Sequence, residues 1–140
     1  MRTARQLVED AADLYSKGDA EGYCALYSDD AVVTSPDGRF EGQAALLSYV
    51  QGLMSPWPGA AVTVGRHCEQ AGLYFGEFTL RGTNDGPLLM PDGTESPATH
   101  KSVEVRGVEI VRVDNGKVVQ HDYFWDNLSL LAQLELLPQT

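Results

Sequence analysis

Ser102-Val103-Glu104-Val105-Arg106-Gly107-Val108-Glu109-Ile110-Val111-Arg112-Val113-Asp114 is the stretch on which the fold turns. Its valines alternate with polar residues, the period of a half-buried strand, and the spacing predicts one long strand from Ser102 to Asp114. A second strand, Val118 to Trp125, follows across Asp114-Asn115-Gly116-Lys117. Alternation puts Val103, Val105, Gly107, Glu109, Val111 and Val113 on one face, which should be buried. An ionised Glu109 among valines would lose its hydration. It therefore needs a partner, a raised pKa, or employment as an acid or base.

The turn between the two strands decides what Glu109 faces. A two-residue type I′ turn at Asn115-Gly116 pairs Asp114 with Lys117 and sets Glu109 opposite Asp122. A three-residue loop with Gly116 in a left-handed bulge pairs Val113 with Lys117. It sets Glu109 opposite His121, with Tyr123 next along the face. The first register crowds two carboxylates, one of which would stay protonated. The second gathers a carboxylate, an imidazole and a phenol, a set able both to take and to give protons.

Outward from this pair, the period of two continues back to Ala61, giving strands at Ala61 to Glu69 and Leu73 to Gly82. The loop from Thr83 to Thr99 is rich in Pro, Gly, Asp and Thr and includes Leu88-Leu89-Met90-Pro91-Asp92-Gly93. It is either a lid over a cavity mouth or a long hairpin connection. The first half reads as helical. Thr3 with Gln6 offers a capping box for a helix through Lys17, stopped at Gly18. Asp19 caps a shorter helix through Tyr27. Ala31 to Ser35 is a short strand, Pro36-Asp37-Gly38 a turn, and Gly42 to Met54 a third helix. Asn127 to Leu137, with Leu130, Leu131, Leu134 and Leu137 on one side, closes the chain as a helix. Three helices followed by a curved antiparallel sheet and a last helix describe an α+β domain, a cone enclosing a hydrophobic pocket.

The chain has 140 residues and 43% hydrophobic content, which suits one domain spanning 1–140. Ten Lys plus Arg against 20 Asp plus Glu give a formal charge of −10, which opposes binding to nucleic acid or anionic lipid. The N-terminal residues lack a signal-peptide core and no apolar run reaches the length of a membrane span, so a cytoplasmic protein is expected. Cys24 and Cys68 form no CxxC motif and read as two buried thiols. His67, His100, His121 and Glu109 match no familiar metal-ligand spacing, and no metal is expected.

The candidate catalytic groups are thus Glu109, Tyr123, His121 and Asp122. Tyr15, Ser35, Trp57, Tyr74, Asn84 and Trp125 are candidate substrate contacts. Each has a plainer reading: Glu109 as a buried acid bonded to a tyrosine or serine, His121 as a satisfied strand histidine, and the aromatic residues as core or pocket wall.

Several of these segments resemble a known family. The helix ending in Tyr15 before Gly18-Asp19, the run Tyr27-Ser28-Asp29-Asp30-Ala31-Val32, Gly42 at a helix start, Gly107 to Val113 with Gly116-Lys117-Val118, and Asp126 before Leu130-Leu131-Ala132-Gln133-Leu134 resemble the SnoaL-like branch of the nuclear-transport-factor-like superfamily. The resemblance implies a helix-capped cone, a homodimer through the sheet, a deep apolar pocket and no cofactor. Its members include polyketide cyclases of antibiotic and other secondary metabolism that close rings by aldol condensation. Relatives include limonene epoxide hydrolase, ketosteroid isomerase and non-catalytic modules.

By that resemblance Glu109 falls where the cyclases keep a histidine and the isomerases a protonated aspartic acid. Ser35 falls at the isomerase base, and Tyr15 near a pocket tyrosine. The cyclase aspartate falls on Tyr123, with Asp122 one place early, which favours the bulged hairpin. The expectation is an enzyme of the lyase or isomerase class acting on a small apolar carbonyl substrate. Either Glu109 is the base, with Tyr123, His121 or Tyr15 donating to an oxyanion, or a protonated Glu109 is the donor and His121 or Asp122 the base. An epoxide-opening hydrolase and a module that binds a hydrophobic ligand without turnover are the alternatives.

Overall fold

A computed structural model of the chain describes residues 1–90 and 92–137. Four α-helices and eight β-strands follow one another as α1 (Ala4–Ser16), α2 (Ala20–Ala25), β1 (Tyr27–Ser35), β2 (Gly38–Glu41), α3 (Gln43–Met54), β3 (Ala61–Gln70), β4 (Leu73–Thr83), β5 (Leu88–Leu89), β6 (Glu95–Ser96), β7 (Ser102–Asp114), β8 (Lys117–Trp125) and α4 (Asn127–Gln133). Six strands form one curved sheet in the order β2-β1-β8-β7-β4-β3, and β5 with β6 makes a separate small hairpin. The α+β cone expected from the sequence is present.

The termini of the helices are set by short side chains. Thr3 and Gln6 complete the capping box, each side chain accepting from the other's backbone N–H. Asp19 and Asp126 cap α2 and α4 with one bond each, their carboxylates accepting from Gly22 N and Ser129 N. Ala4, Leu7, Val8 and Ala11 of α1 are buried, and the helix lies chiefly on β3. The core has two parts. One gathers Leu7, Tyr23, Tyr27, Val33, Leu46, Val50, Tyr74 and Val111. The other, at the opposite end of the sheet's inner face, is Trp57, Ala60, Val103 and Leu134, with Tyr15, Leu80, Val105 and Leu130 against them.

Several expectations change. The second helix ends at Ala25 and Tyr27 opens β1, because residues from Tyr27 onward pair with β8, and do so in parallel. The sheet is therefore mixed at that one junction. The Pro36-Asp37 turn leads into a strand not anticipated, β2, which pairs with β1 from Ser35↔Gly38 to Val32↔Glu41. The last helix stops at Gln133, four residues early, where Glu135 takes a left-handed φ of 58°. The loop after β4 carries the β5–β6 hairpin, and Pro91 of that stretch lies outside the described residues. Cys24 is buried as expected, whereas Cys68 is exposed on β3.

The hairpin that decides the site follows neither predicted register. Asp114 pairs with Lys117 across Asn115 (φ 50°) and Gly116 (φ 73°), the two positive φ angles of a type I′ turn. One step later the ladder shifts: Val113 pairs with Val118 but Arg112 with Gln120, leaving Val119 as a bulge. The shift moves every later pairing by one, so Glu109 pairs with Tyr123 and Val111 with His121. The turn is the one expected for two carboxylates. The face it produces is the one expected for the bulged loop.

A last detail secures the closing helix. β8 reaches only as far as Trp125↔Gly107, so the same edge of β7 is uncovered before Gly107. The Gln133 amide fills part of it, its Oε1 accepting from Glu104 N at 2.8 Å and its Nε2 donating to Glu104 O at 3.0 Å.

Candidate active site

β7 and β8 present Glu109, His121 and Tyr123 on one buried face, and α2 with the start of β1 delivers Tyr23 and Tyr27 against them. The α2–β1 joint is held from two sides. Gln43 Nε2 of α3 donates to the carbonyls of Cys24 and Tyr27 at 3.1 and 3.0 Å, and Lys117 Nζ donates to Ala25 O at 2.6 Å. Val118 N adds a bond to Leu26 O. The two tyrosine rings stack with their centroids 5.4 Å apart.

The result is a continuous hydrogen-bonded chain. Glu109 Oε1 meets His121 Nε2 at 2.8 Å, and His121 Nδ1 meets Tyr27 Oη at 2.6 Å. Tyr27 Oη meets Tyr23 Oη at 3.1 Å, and Tyr23 and Tyr123 share a further hydrogen bond. Glu109 and His121 are 6% and 2% exposed. The His121 ring stacks on Tyr123 at 3.8 Å, and Phe78 meets Tyr123 edge-on at 6.1 Å.

Two proton arrangements satisfy these contacts. With the Tyr27 hydrogen donated to Nδ1, His121 keeps its own hydrogen on Nε2 and donates it to Glu109; with the Tyr27 hydrogen donated to a neighbouring tyrosine, Tyr27 accepts from His121 Nδ1–H. In the second arrangement one proton remains between Nε2 and Glu109 Oε1. The pair is either imidazolium with carboxylate or imidazole with carboxylic acid, and its net charge is zero in both. Such pairing offsets much of the cost of burying the groups. In both forms the second carboxyl oxygen, Oε2, is an acceptor, and it has no partner among the described residues.

The phenols stay protonated at neutral pH. Burial pushes Tyr23 up to about 12 against the opposing effect of its bonds to Tyr123 and Tyr27. Burial, then the neighbouring Tyr23, raises Tyr27 and Tyr123 well above the ordinary tyrosine value. They are hydrogen-bond donors here, not bases.

The remaining sequence candidates divide. Asp122 lies on the other face of β8, bonded by Thr34 and by Gln120 Nε2 at 3.3 Å, because alternation turns it away from Glu109. Asn84 is fully buried and saturated: Nδ2 donates to Pro56 O and Gly86 O, and Oδ1 accepts from Thr99 N and Oγ1. It staples the loop after β4 and has no bond left for a ligand. Ser35 is held at the β1–β2 turn by Tyr49, at 2.5 Å, and by Asp37 N. Tyr15 donates to Leu53 O at 2.6 Å at the boundary of the two cores, and burial raises its pKa. Trp57 belongs to the second core. Trp125 stands edge-on to Tyr123 at 6.3 Å, with its indole N–H donated to Asn127. Tyr74 sits on the Glu109 face, one strand away.

The apolar interior is occupied over much of its length by these aromatic side chains. An open groove of about 670 Å³ lies mostly on the sheet's outer side, lined by Arg66, Glu77, Thr79, Arg106, Val108 and Phe124 and reaching Phe78, Gly107 and Trp125, and none of the five bonded residues lines it. Among the described residues no three His, Cys, Asp or Glu side chains gather into a metal-binding group. His67 and His100 are exposed, and neither bonds Glu109. No described helix is long and apolar enough to cross a membrane.

Sequence reasoning missed Tyr23 and Tyr27. Tyr27 reaches His121 only through the long-range pairing of β1 with β8, which no local pattern signals.

Solved structures with this fold include a candidate SnoaL-like polyketide cyclase of Jannaschia sp. CCS1, at 20% identity with 99% of each chain covered and a TM-score of 0.78. AclR, a candidate hydroxylase of Streptomyces galilaeus, aligns at 23% identity over 96% of each chain with a TM-score of 0.80. IdmH, a candidate polyketide cyclase of Streptomyces antibioticus, aligns at 23% identity over 94% of this chain and 97% of its own, with a TM-score of 0.76. No curated protein matches the chain in sequence. The SnoaL-like domain model matches residues 8–121, a span that includes α2, the α2–β1 joint, Glu109 and His121, and the chain belongs to the SnoaL-like family.

Proposed function

We propose that the protein is a cofactor-free cyclase or isomerase acting by proton transfer on a neutral, mostly apolar carbonyl compound of the polyketide type. The observation that carries this reading is the Glu109–His121 pair, buried and aligned at 2.8 Å, with one carboxyl oxygen left free. In the imidazolium–carboxylate form, Glu109 Oε2 removes a proton next to a carbonyl while His121 keeps the carboxylate paired. Tyr123, held protonated by burial, donates to the oxyanion that develops. In the other form Glu109 itself is the acid. Asp122, on the far face, takes no part.

The alternative is a binding module with the same interior. It is favoured by Tyr123 standing where the family's cyclases keep an aspartate, and by the extent to which the network satisfies itself. An epoxide-opening hydrolase would use the same carboxylate to activate water.

A homodimer through the outer face of the sheet completes the reading. Phe75, Val108 and Phe124 are 46%, 49% and 52% exposed on that face, an apolar cluster unusual for an uncovered surface.

The test is exchange of the acidic α-hydrogens of 2-tetralone in D2O, followed by proton NMR. Wild-type protein should accelerate exchange by about 10²–10⁴-fold, and Glu109→Gln should remove the acceleration. Binding of the ketone with equal exchange in both proteins would move the assignment to the binding module.

A further inference from the structure

We propose that Tyr74 and Glu109 form a buried two-point site for a neutral hydroxyl group, supplied either by a water molecule or by an enol or phenol of a bound ligand. Tyr74 is 0% exposed, and its Oη is the one buried polar side-chain atom among the described residues with no hydrogen-bond partner. A hydroxyl in that position has lost its hydration and gained nothing in exchange. Native interiors satisfy such groups with ordered water or ligand.

The surroundings are shaped to the Tyr74 ring. Tyr74 precedes Gly76 by two residues on β4, so both face inward, and Gly76 pairs with Glu109 on β7. The ring lies over Gly76: a Cβ at that residue would come within 2.6 Å of both Tyr74 Cε1 and Oη. The hydroxyl thus takes the space that a side chain at 76 would fill, across the ladder from Glu109. His67, which pairs with Gly76 from β3, stacks on Tyr74 with ring centroids 5.4 Å apart.

The two groups ask for one kind of ligand. Burial, reinforced by the Glu109 charge, pushes Tyr74 up to about 12, so its O–H is a donor. Glu109 Oε1 is engaged with His121, and Oε2 is an acceptor in either protonation form of the pair. A hydroxyl supplies one lone pair for Tyr74 and one hydrogen for Glu109. A carbonyl lacks the hydrogen, an ammonium lacks the lone pair, and an anion meets the carboxylate. The site needs no turnover, so it stands or falls separately from the exchange reaction above.

An atomic-resolution crystal structure of the ligand-free protein, paired with Tyr74→Phe, tests the site. The expected result is one ordered oxygen within hydrogen-bond distance of Tyr74 Oη and Glu109 Oε2, absent from Tyr74→Phe, whose Tm falls by a few degrees. 2-Naphthol and naphthalene then separate the two sources. If the ligand hydroxyl occupies the site, 2-naphthol binds about tenfold tighter than naphthalene, and Tyr74→Phe removes the difference. If the ordered oxygen persists with naphthol present, the occupant is water. A Tyr74 hydroxyl with no neighbouring density, together with a higher Tm for Tyr74→Phe, would show that the group is idle and overturn the proposal.

Discussion

The two faces of the β7–β8 hairpin are made by the same residues in alternation, yet they do opposite things. Inward, Glu109, Val111, His121 and Tyr123 are bonded, stacked and almost dry. Outward, Val108 and Phe124 stand about half exposed beside Asp122, which is bonded to Thr34 and Gln120. A carboxylate occurs on both faces, and only its surroundings separate a poised group from a surface one. Charge without desolvation is cheap, so Asp122 is unremarkable where it sits. Charge with desolvation demands a partner, and Glu109 has one.

The sharpest way to break the contrast is to strip the inner face of one partner. His121→Leu leaves Glu109 buried and unpaired, and should lower unfolding stability by about 3–5 kcal/mol in urea titrations at neutral pH. Glu109→Leu combined with His121→Leu should recover most of that loss, since replacing both partners by apolar groups removes the uncompensated charge. A double variant as unstable as the single would mean that the loss comes from packing. Gly107→Ala is next in size. Its Cβ would fall 2.4 Å from Phe78 Cζ and 2.5 Å from Phe124 O, one flexible obstacle and one backbone obstacle. Overpacking of this kind should cost about 1–3 kcal/mol.

The outer face should be far more tolerant. Phe124→Asp should change the stability of a protomer by less than about 0.5 kcal/mol, while shifting the proposed dimer toward monomer in sedimentation or light scattering. A monomeric wild type would remove the dimer from the reading. The smallest effect lies at the rim, where Arg66 bonds Glu77 through both oxygens, at 2.6 and 2.7 Å. That hydrogen bond holds the Glu77 carboxyl at about 2, down from 4.5. A depressed folded value favours the native state above the unfolded carboxylate range, and the benefit fades as pH falls from 4.5 toward 2. Arg66→Ala should return the Glu77 value toward 4.5 by carbon-detected NMR, with little change in Tm at pH 7 because the pair is exposed.

The long strands were legible because alternation is a local signal: Ser102 to Asp114 was read to the residue. The set converging on Glu109 was legible too, through the chemistry of that face. Its register was not. The shift arises at Val119, which carries no glycine or proline to mark a bulge, on a strand that also pairs with a parallel neighbour, β1, that sequence patterning did not connect to β8. The same long-range pairing ends α2 early and turns Tyr27 from a helical residue into the bridge between His121 and Tyr23. Asn84 failed as a ligand contact for a different reason: a polar residue in a loop reads alike whether it faces a ligand or bonds its own backbone.

The Gln133 amide on the edge of β7 has a consequence for synthesis of the chain. Residues 102–106 sit beyond the reach of β8, and their outward backbone groups form a template onto which another extended chain could add. Gln133 bonds both polar groups of Glu104, in the middle of that span. Gln133 follows every strand of the sheet in the chain, so this cover is the last of these parts to be made, and until α4 docks the folding protein carries an open strand edge that a neighbouring chain could join.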